Sequence, residues 1–389
     1  MKKSDLCRAR QKLLVPVAEH PGAFALVPPP TPRWIPLPGI QNEVARAHEA
    51  LGALKALTAK LPNPGMVSRT LDRREAVRSS QIEGTHSDVN DLFAYEATGS
   101  GEGLPPDVLV TLNYVKALDY GLEQVRHLGG AKALTCELIK ALHLHLMAGV
   151  KDFKGTPGVY RDKQNWIGGF KINQARFVPP PADNVQTCMN DLEELLHYTP
   201  GEADQFEVPI VIRMAIAHAQ FETIHPFIDG NGRVGRILLP LMLAAEGYPP
   251  VYLAGFLKSN QQEYYDGLAN VQLQEKWSDW VRFFATGIEV AVQESMKTAQ
   301  ALLSILEGWR MQVASLGLRS DSAAYRLPEL LIGSPVLTAN QVKESLGVSF
   351  PAANSALSRF EELGIIVQPV KQQRNRIFIA REVIDVLER

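Results

Sequence analysis

Three cysteines in 389 residues, Cys7, Cys136 and Cys188, are too few, too far apart and odd in number to build a disulfide framework, and no CxxC pair offers a zinc ribbon. A reducing, cytoplasmic setting is the expectation. Charge of one sign is equally scarce: the formal net charge is -2 and the pI is near 6.5, so nothing draws the whole chain toward nucleic acid or an anionic membrane. Long apolar runs are missing as well. The strongest, Ile237 to Ala245, is about half of what crosses a bilayer and contains Pro240. Behind the basic start Met1-Lys2-Lys3, residues Arg8, Arg10, Gln11 and Lys12 interrupt any apolar stretch. Neither a membrane span nor a signal peptide is expected, and no internal repeat is visible.

What is present suits a soluble globular protein: 46% of residues are hydrophobic and 21% charged. The length predicts two or three domains. Residues 21–39 hold seven prolines and read as an extended, polyproline-like arm able to wrap a neighbouring surface. Helical spacing then takes over. Val44, Ala47, Leu51, Leu54 and Leu57 form one stripe between Ile40 and about Leu61, and a second helix, about Ser68 to Ile82, follows the break Pro62-Asn63-Pro64-Gly65. A Gly- and Ser-rich connection around Gly99 to Gly103 leads to helices over Pro106 to His127 and Thr135 to Met147.

Between Gly155 and Val178, Tyr160, Trp166, Ile167, Phe170 and Phe177 stand among Gly, Pro and Asn, which predicts a short β-hairpin flap. Val208 to about Glu222 leaves little polar face and predicts a buried helix, and another is expected from Arg233 to Gly247. Helices about Asn260 to Ala269 and Trp277 to Leu306 complete an all-α core. The last 55 residues change character. A helix opening at Thr338-Ala339-Asn340-Gln341-Val342, a turn at Gly347-Val348-Ser349 and a helix from Pro351 to Leu363 precede a strand pair, with Ile365, Val367 and Val370 on one side and Ile377, Phe378 and Ile379 on the other. Helix, turn, helix and β wing is the winged-helix pattern. The expected fold class is mainly α, with a small β-hairpin flap and a C-terminal α+β winged-helix domain.

The chemistry concentrates in His225-Pro226-Phe227-Ile228-Asp229-Gly230-Asn231-Gly232-Arg233-Val234-Gly235-Arg236, a polar glycine-rich turn between two helices. Glycines admit backbone conformations closed to other residues, so successive N–H groups can converge on an anion, and phosphate is the natural guest. Arg233 and Arg236 lie three residues apart, on one face of the following helix. Cations there oppose the helix dipole unless an anion is bound. Imidazole, with a reference pKa of about 6.5, suits a general base near neutral pH, which His225 could supply. Asp229 offers a hard oxygen to Mg2+ or Mn2+ beside phosphate oxygens. Each residue alone reads equally as a cap, a core group or a salt-bridge partner. Their coincidence within twelve residues favours chemistry. The string Gly230-Asn231-Gly232-Arg233-Val234-Gly235 also matches GxGxxG, but a dinucleotide site needs a preceding strand where a helix is expected, and no GxxxxGK[ST] loop occurs.

The string resembles the signature HPFx[DE]GNGRxxR of the Fic family and meets it at every fixed position. The resemblance spans roughly residues 40 to 300, and the domain order is similar to bacterial Fic proteins with a C-terminal winged helix. It implies three regions: residues 1–100 with the Pro-rich arm and an inhibitory helix, 101–305 as the catalytic domain and 306–389 as the winged helix. It implies a protein adenylyltransferase. His225 would deprotonate a Tyr, Ser or Thr hydroxyl of a target protein, which attacks the α-phosphate of ATP and expels pyrophosphate. Asp229 would hold the metal and Phe227 would anchor the loop. Gly230, Asn231, Gly232 and Arg233 would bind the α- and β-phosphates, within a nucleotide-binding run that continues through Val234 and Gly235, and Arg236 would reach the γ-phosphate. Relatives that transfer a γ-phosphate have Lys in the segment corresponding to Gly232, so GNGR favours AMP transfer.

The same resemblance makes Gly158-Val159-Tyr160-Arg161 and Asn165-Trp166-Ile167-Gly168 the flap that registers a target segment and covers the nucleotide. It also sets Tyr264, Tyr265 and Gln272 near adenosine. Since Tyr264 and Tyr265 diverge on a helix, one of them also reads as core. Ser79-Ser80-Gln81-Ile82-Glu83-Gly84 resembles the family's inhibitory motif [ST]xxxE[GN], in which Glu83 pairs with Arg236 at the γ-phosphate position and Ser79 supports the helix. Taken alone, this short pattern reads as a solvated glutamate ahead of a glycine cap. Beside the complete loop motif it reads as a restraint on transfer or, as in some relatives, an aid to AMP removal. Self-modification and a homodimer are expected.

A second reading makes the chain a DNA-binding regulator. Ser349, Asn354, Ser355, Ser358 and Arg359 would face a major groove, and Lys371, Arg374 and Arg376 would touch phosphates. From Leu337 to Arg389, seven Lys and Arg against six Asp and Glu leave a net of +1, weak for DNA binding.

Overall fold

The computed structural model describes residues 1–60, 63–151, 153–201, 207–369 and 376–389. The chain is mainly helical. It divides into two compact units, residues 1–56 with 113–292, and residues 57–112 with 293–389.

The first unit is built around helix Ile210–Ile224, in which every residue except Ile212 is buried. Its apolar composition leaves no face for water, so it packs against helices Ala182–Leu196 and Asn231–Ala245. Phe221, Ile224, Phe227, Trp280 and Phe284 are almost wholly inaccessible. Each such side chain contributes on the order of 1.5–3 kcal/mol of burial energy. Helices Cys136–Met147 and Gln261–Gln274 flank this core. Thr135 caps the former by accepting from the Leu138 N–H.

The N-terminal segment departs from the expected arm. Leu14–Pro16 and Phe24–Leu26 form an antiparallel pair in the register Leu14↔Leu26, Val15↔Ala25 and Pro16↔Phe24. Only Pro16 and Pro21 lie near this turn, so the intervening backbone keeps its N–H groups for pairing. The proline-dense stretch beyond it lies on its own unit, where Gln220 donates to the Pro29 carbonyl at 3.1 Å and Arg33 to the Thr199 carbonyl at 3.0 Å.

The expected flap hairpin is one bridge wide. Ile167 pairs with Phe177, the Ile167 N–H donating to the Phe177 carbonyl at 2.9 Å. Gly168 and Gly169 take φ of +72° and +80°, and a 3-10 turn follows at Ile172–Gln174. At Gly169 a Cβ would sit 2.7 Å from the Gln174 carbonyl oxygen. The chain closes here as a glycine loop instead of extending a ladder.

In the second unit, helix Pro64–Ile82 starts on a proline and buries charged residues along its length. Arg73 meets Glu96 at 3.0 Å, Arg74 donates to the Thr298 hydroxyl at 2.8 Å, and the Thr70 hydroxyl lies 3.1 Å from the Ile332 carbonyl. Helix Val89–Thr98 opens on an Asp88–Asp91 capping box and ends at Gly99 in the left-handed conformation. Helices Ala339–Leu346 and Phe350–Glu362 are capped by Thr338 and Ser349 and separated at Gly347. Strand Ile377–Ile379 pairs with Val336–Thr338 and makes a single bridge from Ile379 to Val367. The main partner of Ile377–Ile379 is thus the strand ahead of the first helix, a pairing without local turn chemistry to announce it. Val370, Lys371 and Arg374 lie outside the described residues.

Candidate functional site

Helix Ile210–Ile224 ends because His225 turns left-handed, at φ 49° and ψ 62°, with its N–H still bonded to the Phe221 carbonyl at 2.9 Å. A non-glycine residue in this region is strained by about 1–3 kcal/mol and is held by its surroundings. Those surroundings are specific. The Arg161 Nε donates to the His225 carbonyl at 2.9 Å, the Arg161 N–H to Pro226 O at 2.9 Å, and the Asn165 amide to Phe227 O at 3.1 Å. Arg161 also donates to the carbonyls of Lys163, Pro180 and Ile224. Burial lowers its guanidinium pKa to about 10, a cost that the ring of carbonyl acceptors offsets.

The loop is closed from within by Asn231, whose Oδ1 accepts from Phe227 N at 2.8 Å and whose amide donates to Phe227 O at 2.9 Å. Beneath it the Phe227 ring stacks on His143, centroids 3.8 Å apart and planes within 4°. His143 Nδ1 accepts the Gly158 N–H at 2.9 Å, so its Nε2 carries the proton and donates to the Asp229 carbonyl at 3.1 Å. Burial lowers the pKa of this ring to about 4 and keeps it neutral. His143 therefore ties the stem of the flap to the loop.

Gly230, at φ +83°, forms the cap of helix Asn231–Ala245. A Cβ at Gly230 would approach Met147 Sδ to 3.2 Å. The first turn of this helix presents N–H groups without intrahelical partners to the loop. Arg233 and Arg236 are buried in the same turn, and Arg233 lies 3.7 Å from the Asp229 carboxylate. Val234 is inaccessible, and Gly235 leaves room for Glu222: a Cβ there would meet Glu222 Oε1 at 2.7 Å. The Asp229 side chain is 66% exposed, and one oxygen accepts the Gly230 N–H at 2.6 Å. Among the described residues no group of three or more His, Cys, Asp or Glu side chains is arranged to hold a metal.

The structure thus gathers Asn165, His225, Asp229, Gly230, Asn231, Gly232, Arg233 and Arg236 around one loop. Trp166 stands farther along the flap, its ring in a T-shaped contact with His20 at 5.7 Å between centroids, and Ile167 and Gly168 form the bridge and its turn. Tyr264 is buried with its hydroxyl 2.9 Å from His218 Nε2, whereas Tyr265 is exposed. Gln272 is buried and its amide reaches the Glu222 carbonyl at 3.5 Å. In the second unit, Glu83 caps helix Pro64–Ile82, its N–H bonded to Ser80 O at 3.0 Å; Ser79 is fully buried and Gly84 follows at φ +92°. His143 and Glu222 were not singled out from sequence, and Arg161 was named only as part of the flap string. Each is polar within an apolar helical or glycine-rich stretch, the one signal that marks them.

Residues 41–123 match the Fic/DOC family N-terminal domain and residues 133–243 the Fic/DOC family domain. The protein adenylyltransferase Fic of Aedes aegypti is 32% identical over 152 residues, 39% of this chain and 27% of that protein. The protein adenylyltransferase fic-1 of Caenorhabditis elegans is 32% identical over 145 residues, 36% of this chain and 26% of that protein. The matched part spans about a quarter of the length of these relatives. Among solved structures, a Fic family protein from Desulfovibrio desulfuricans G20 aligns with a TM-score of 0.53 at 23% identity, over 90% of this chain and 98% of that one. Fic-1 (aa134–508) from C. elegans aligns with a TM-score of 0.51 at 23% identity, over 67% and 72%. The structural likenesses show a shared fold, and residues 41–123 and 133–243 are the parts of this chain that resemble the Fic/DOC family.

Proposed function

We propose that this chain transfers AMP from ATP to hydroxyl side chains of a target protein. The observation that carries this reading is the placement of a strained, clamped His225 beside a helix N-terminus that holds two buried arginines. That end of the helix is an anion site with charge already committed to it. The curated relatives carry the name protein adenylyltransferase.

In this reading His225 Nε2 accepts the hydroxyl proton as the oxygen bonds to the α-phosphorus, and the bond from that phosphorus to the β-bridging oxygen breaks to release pyrophosphate. The N–H groups of Asn231 to Arg233, which follow the Gly230 cap, with the Arg233 and Arg236 guanidiniums, hold the triphosphate and spread its charge. Asp229 suits a hard cation, because its exposed carboxylate has one oxygen committed to Gly230 and one left over, and Mg2+ commonly takes one or two carboxylates with phosphate oxygens. A cation there would neutralise phosphate charge. Tyr265, the accessible member of the tyrosine pair, is assigned to the nucleoside side.

The target segment is assigned to the flap. Beside it a cleft of about 590 Å³ is lined by His20, Phe24, Trp166, Phe170 and Ile172. Phe170 is 98% exposed, an apolar anchor suited to a protein partner. Glu83, at the end of its buried helix and ahead of left-handed Gly84, is assigned the restraint on transfer. The chain itself is an expected acceptor, and a homodimer is the expected assembly.

A second reading rests on the C-terminal segment, whose two capped helices and three-residue strands suit a winged helix. Arg376 is bonded to Asn354 and lies over the Phe378 ring, so two of the expected DNA contacts are engaged with each other. This favours a protein-interaction module. DNA retention that falls steeply with salt would instead favour a regulator.

The test of the principal reading is incubation with α-labelled and, separately, γ-labelled ATP plus Mg2+. Protein-bound label from the α position alone supports AMP transfer. Label from the γ position contradicts it.

A further inference from the structure

We infer that Glu222 is a positioning residue for His225, fixing which ring nitrogen carries the proton and so freeing the other to act as base. The inference rests on the transfer reading above for its catalytic meaning, and on geometry for the pairing itself. Glu222 stands three residues before His225, and its Oε2 lies 3.6 Å from His225 Nδ1. Glu222 is 6% exposed. Both His225 Nδ1 and Glu222 Oε1 are buried without a hydrogen-bond partner. The unpartnered His225 Nδ1 thus faces Glu222 Oε2 just beyond bonding distance, a gap that a small ring rotation closes, while Oε1 of the same carboxylate points toward Gly235. Catalytic hydrogen bonds are often long in the unliganded state and tighten on binding.

The surroundings hold Glu222 in place and charged. From its own helix, His218 stands one turn earlier, with its Nε2 engaged by the Tyr264 hydroxyl. From the following helix comes Arg236, with Gly235 leaving the space that Glu222 Oε1 fills. Burial alone would raise the carboxyl pKa, but the facing His225 and the Arg236 guanidinium more than compensate and hold it below the usual range. An ionised carboxylate only accepts hydrogen bonds, so the nitrogen facing it is N–H. Nε2 then keeps its lone pair for the incoming hydroxyl. Unrelated hydrolases use a buried carboxylate on the histidine nitrogen remote from the nucleophile in the same way.

The test uses the full chain with 15N-labelled histidine, the His225 signals being assigned by their loss in His225→Ala. Wild type should show protonated Nδ1 and bare Nε2. Glu222→Gln, nearly the same shape, should lose that preference and lower kcat for AMP transfer roughly 10- to 100-fold, with KM for ATP changed less than twofold. In the His225→Ala background Glu222→Gln should have no further effect. Glu222→Asp, which keeps the charge, should retain the ring-nitrogen pattern and part of the rate, and Glu222→Met, which removes the acceptor at similar volume, replaces the glutamine variant if that one fails to fold. Unchanged ring-nitrogen signals in the glutamine or methionine variant overturn the proposal, as does a change confined to KM. The spectra test the pairing even if wild type transfers no AMP, in which case the proposed function falls by itself.

Discussion

Arg161 Nε donates to the main-chain carbonyl of His225 at 2.9 Å, fastening the stem of the flap to the left-handed residue on which the proposed chemistry depends. The guanidinium fork serves four carbonyls, a task for which a lysine ammonium lacks the geometry. Arg161→Lys should therefore destabilise the protein by about 1.5–3 kcal/mol, the scale of charged hydrogen bonds. It should also reduce transfer beyond what unfolding explains. Urea unfolding beside initial rates measured well below Tm checks both; a fully stable and active variant contradicts the clamp.

Two buried imidazoles, His143 and His218, each have their pKa lowered by burial to about 4. A depressed folded pKa means that stability is fully present above the unfolded value of about 6.5, falls as pH drops, and is lost once pH passes below about 4. Each ring is linked to on the order of 3 kcal/mol across that window. Urea midpoints measured from pH 7 to 4.5 should decline, and His143→Gln should flatten the decline. A midpoint independent of pH over this range contradicts the assignment of both rings as neutral and buried.

Gly235 gives room to Glu222, and an added Cβ would meet Glu222 Oε1 at 2.7 Å, Phe221 at 3.1 Å and His218 at 3.3 Å. In so closely packed a place Gly235→Ala should cost about 1–3 kcal/mol and displace the carboxylate. Transfer should drop while ATP affinity, measured by calorimetry, changes little. Unaltered transfer would show that the contact at Gly235 is slack.

Much of this architecture was legible in the sequence. The long apolar-striped helices announced themselves by period, and their ends by Thr135, Gly99, Gly347 and Ser349, because caps and stripes are local. The loop from His225 to Arg236 was legible because its histidine, aspartate, glycines and arginines are contiguous in sequence. What was hidden is long-range. The pairing of Leu14–Pro16 with Phe24–Leu26 stands beside a proline-dense stretch that masks it, and Ile377–Ile379 joins a strand some forty residues earlier. His143 and Arg161 reach the loop across 86 and 64 residues of sequence, so no spacing rule exposes them. Glu222 is close in sequence, but it reads as an ordinary polar residue at a helix end until its burial is seen.

Glu83 should govern how much of the activity is visible. Glu83→Gly should raise AMP incorporation at least tenfold, a change of about 1.4 kcal/mol in the restraint. Equal incorporation by wild type and variant removes Glu83 from that role. Faster loss of AMP from a pre-modified target in the presence of Glu83 assigns it to removal instead.

The central claim, that the loop from His225 to Arg236 transfers AMP, is tested most directly by intact-mass spectrometry of the Glu83→Gly protein after incubation with ATP and Mg2+, with His225→Ala beside it. AMP transfer by this loop gives a mass gain of one adenylyl group on a Tyr, Ser or Thr of the chain or its target, absent in the His225→Ala variant. A gain of one phosphoryl group, or an adenylyl gain that persists without His225, would contradict it.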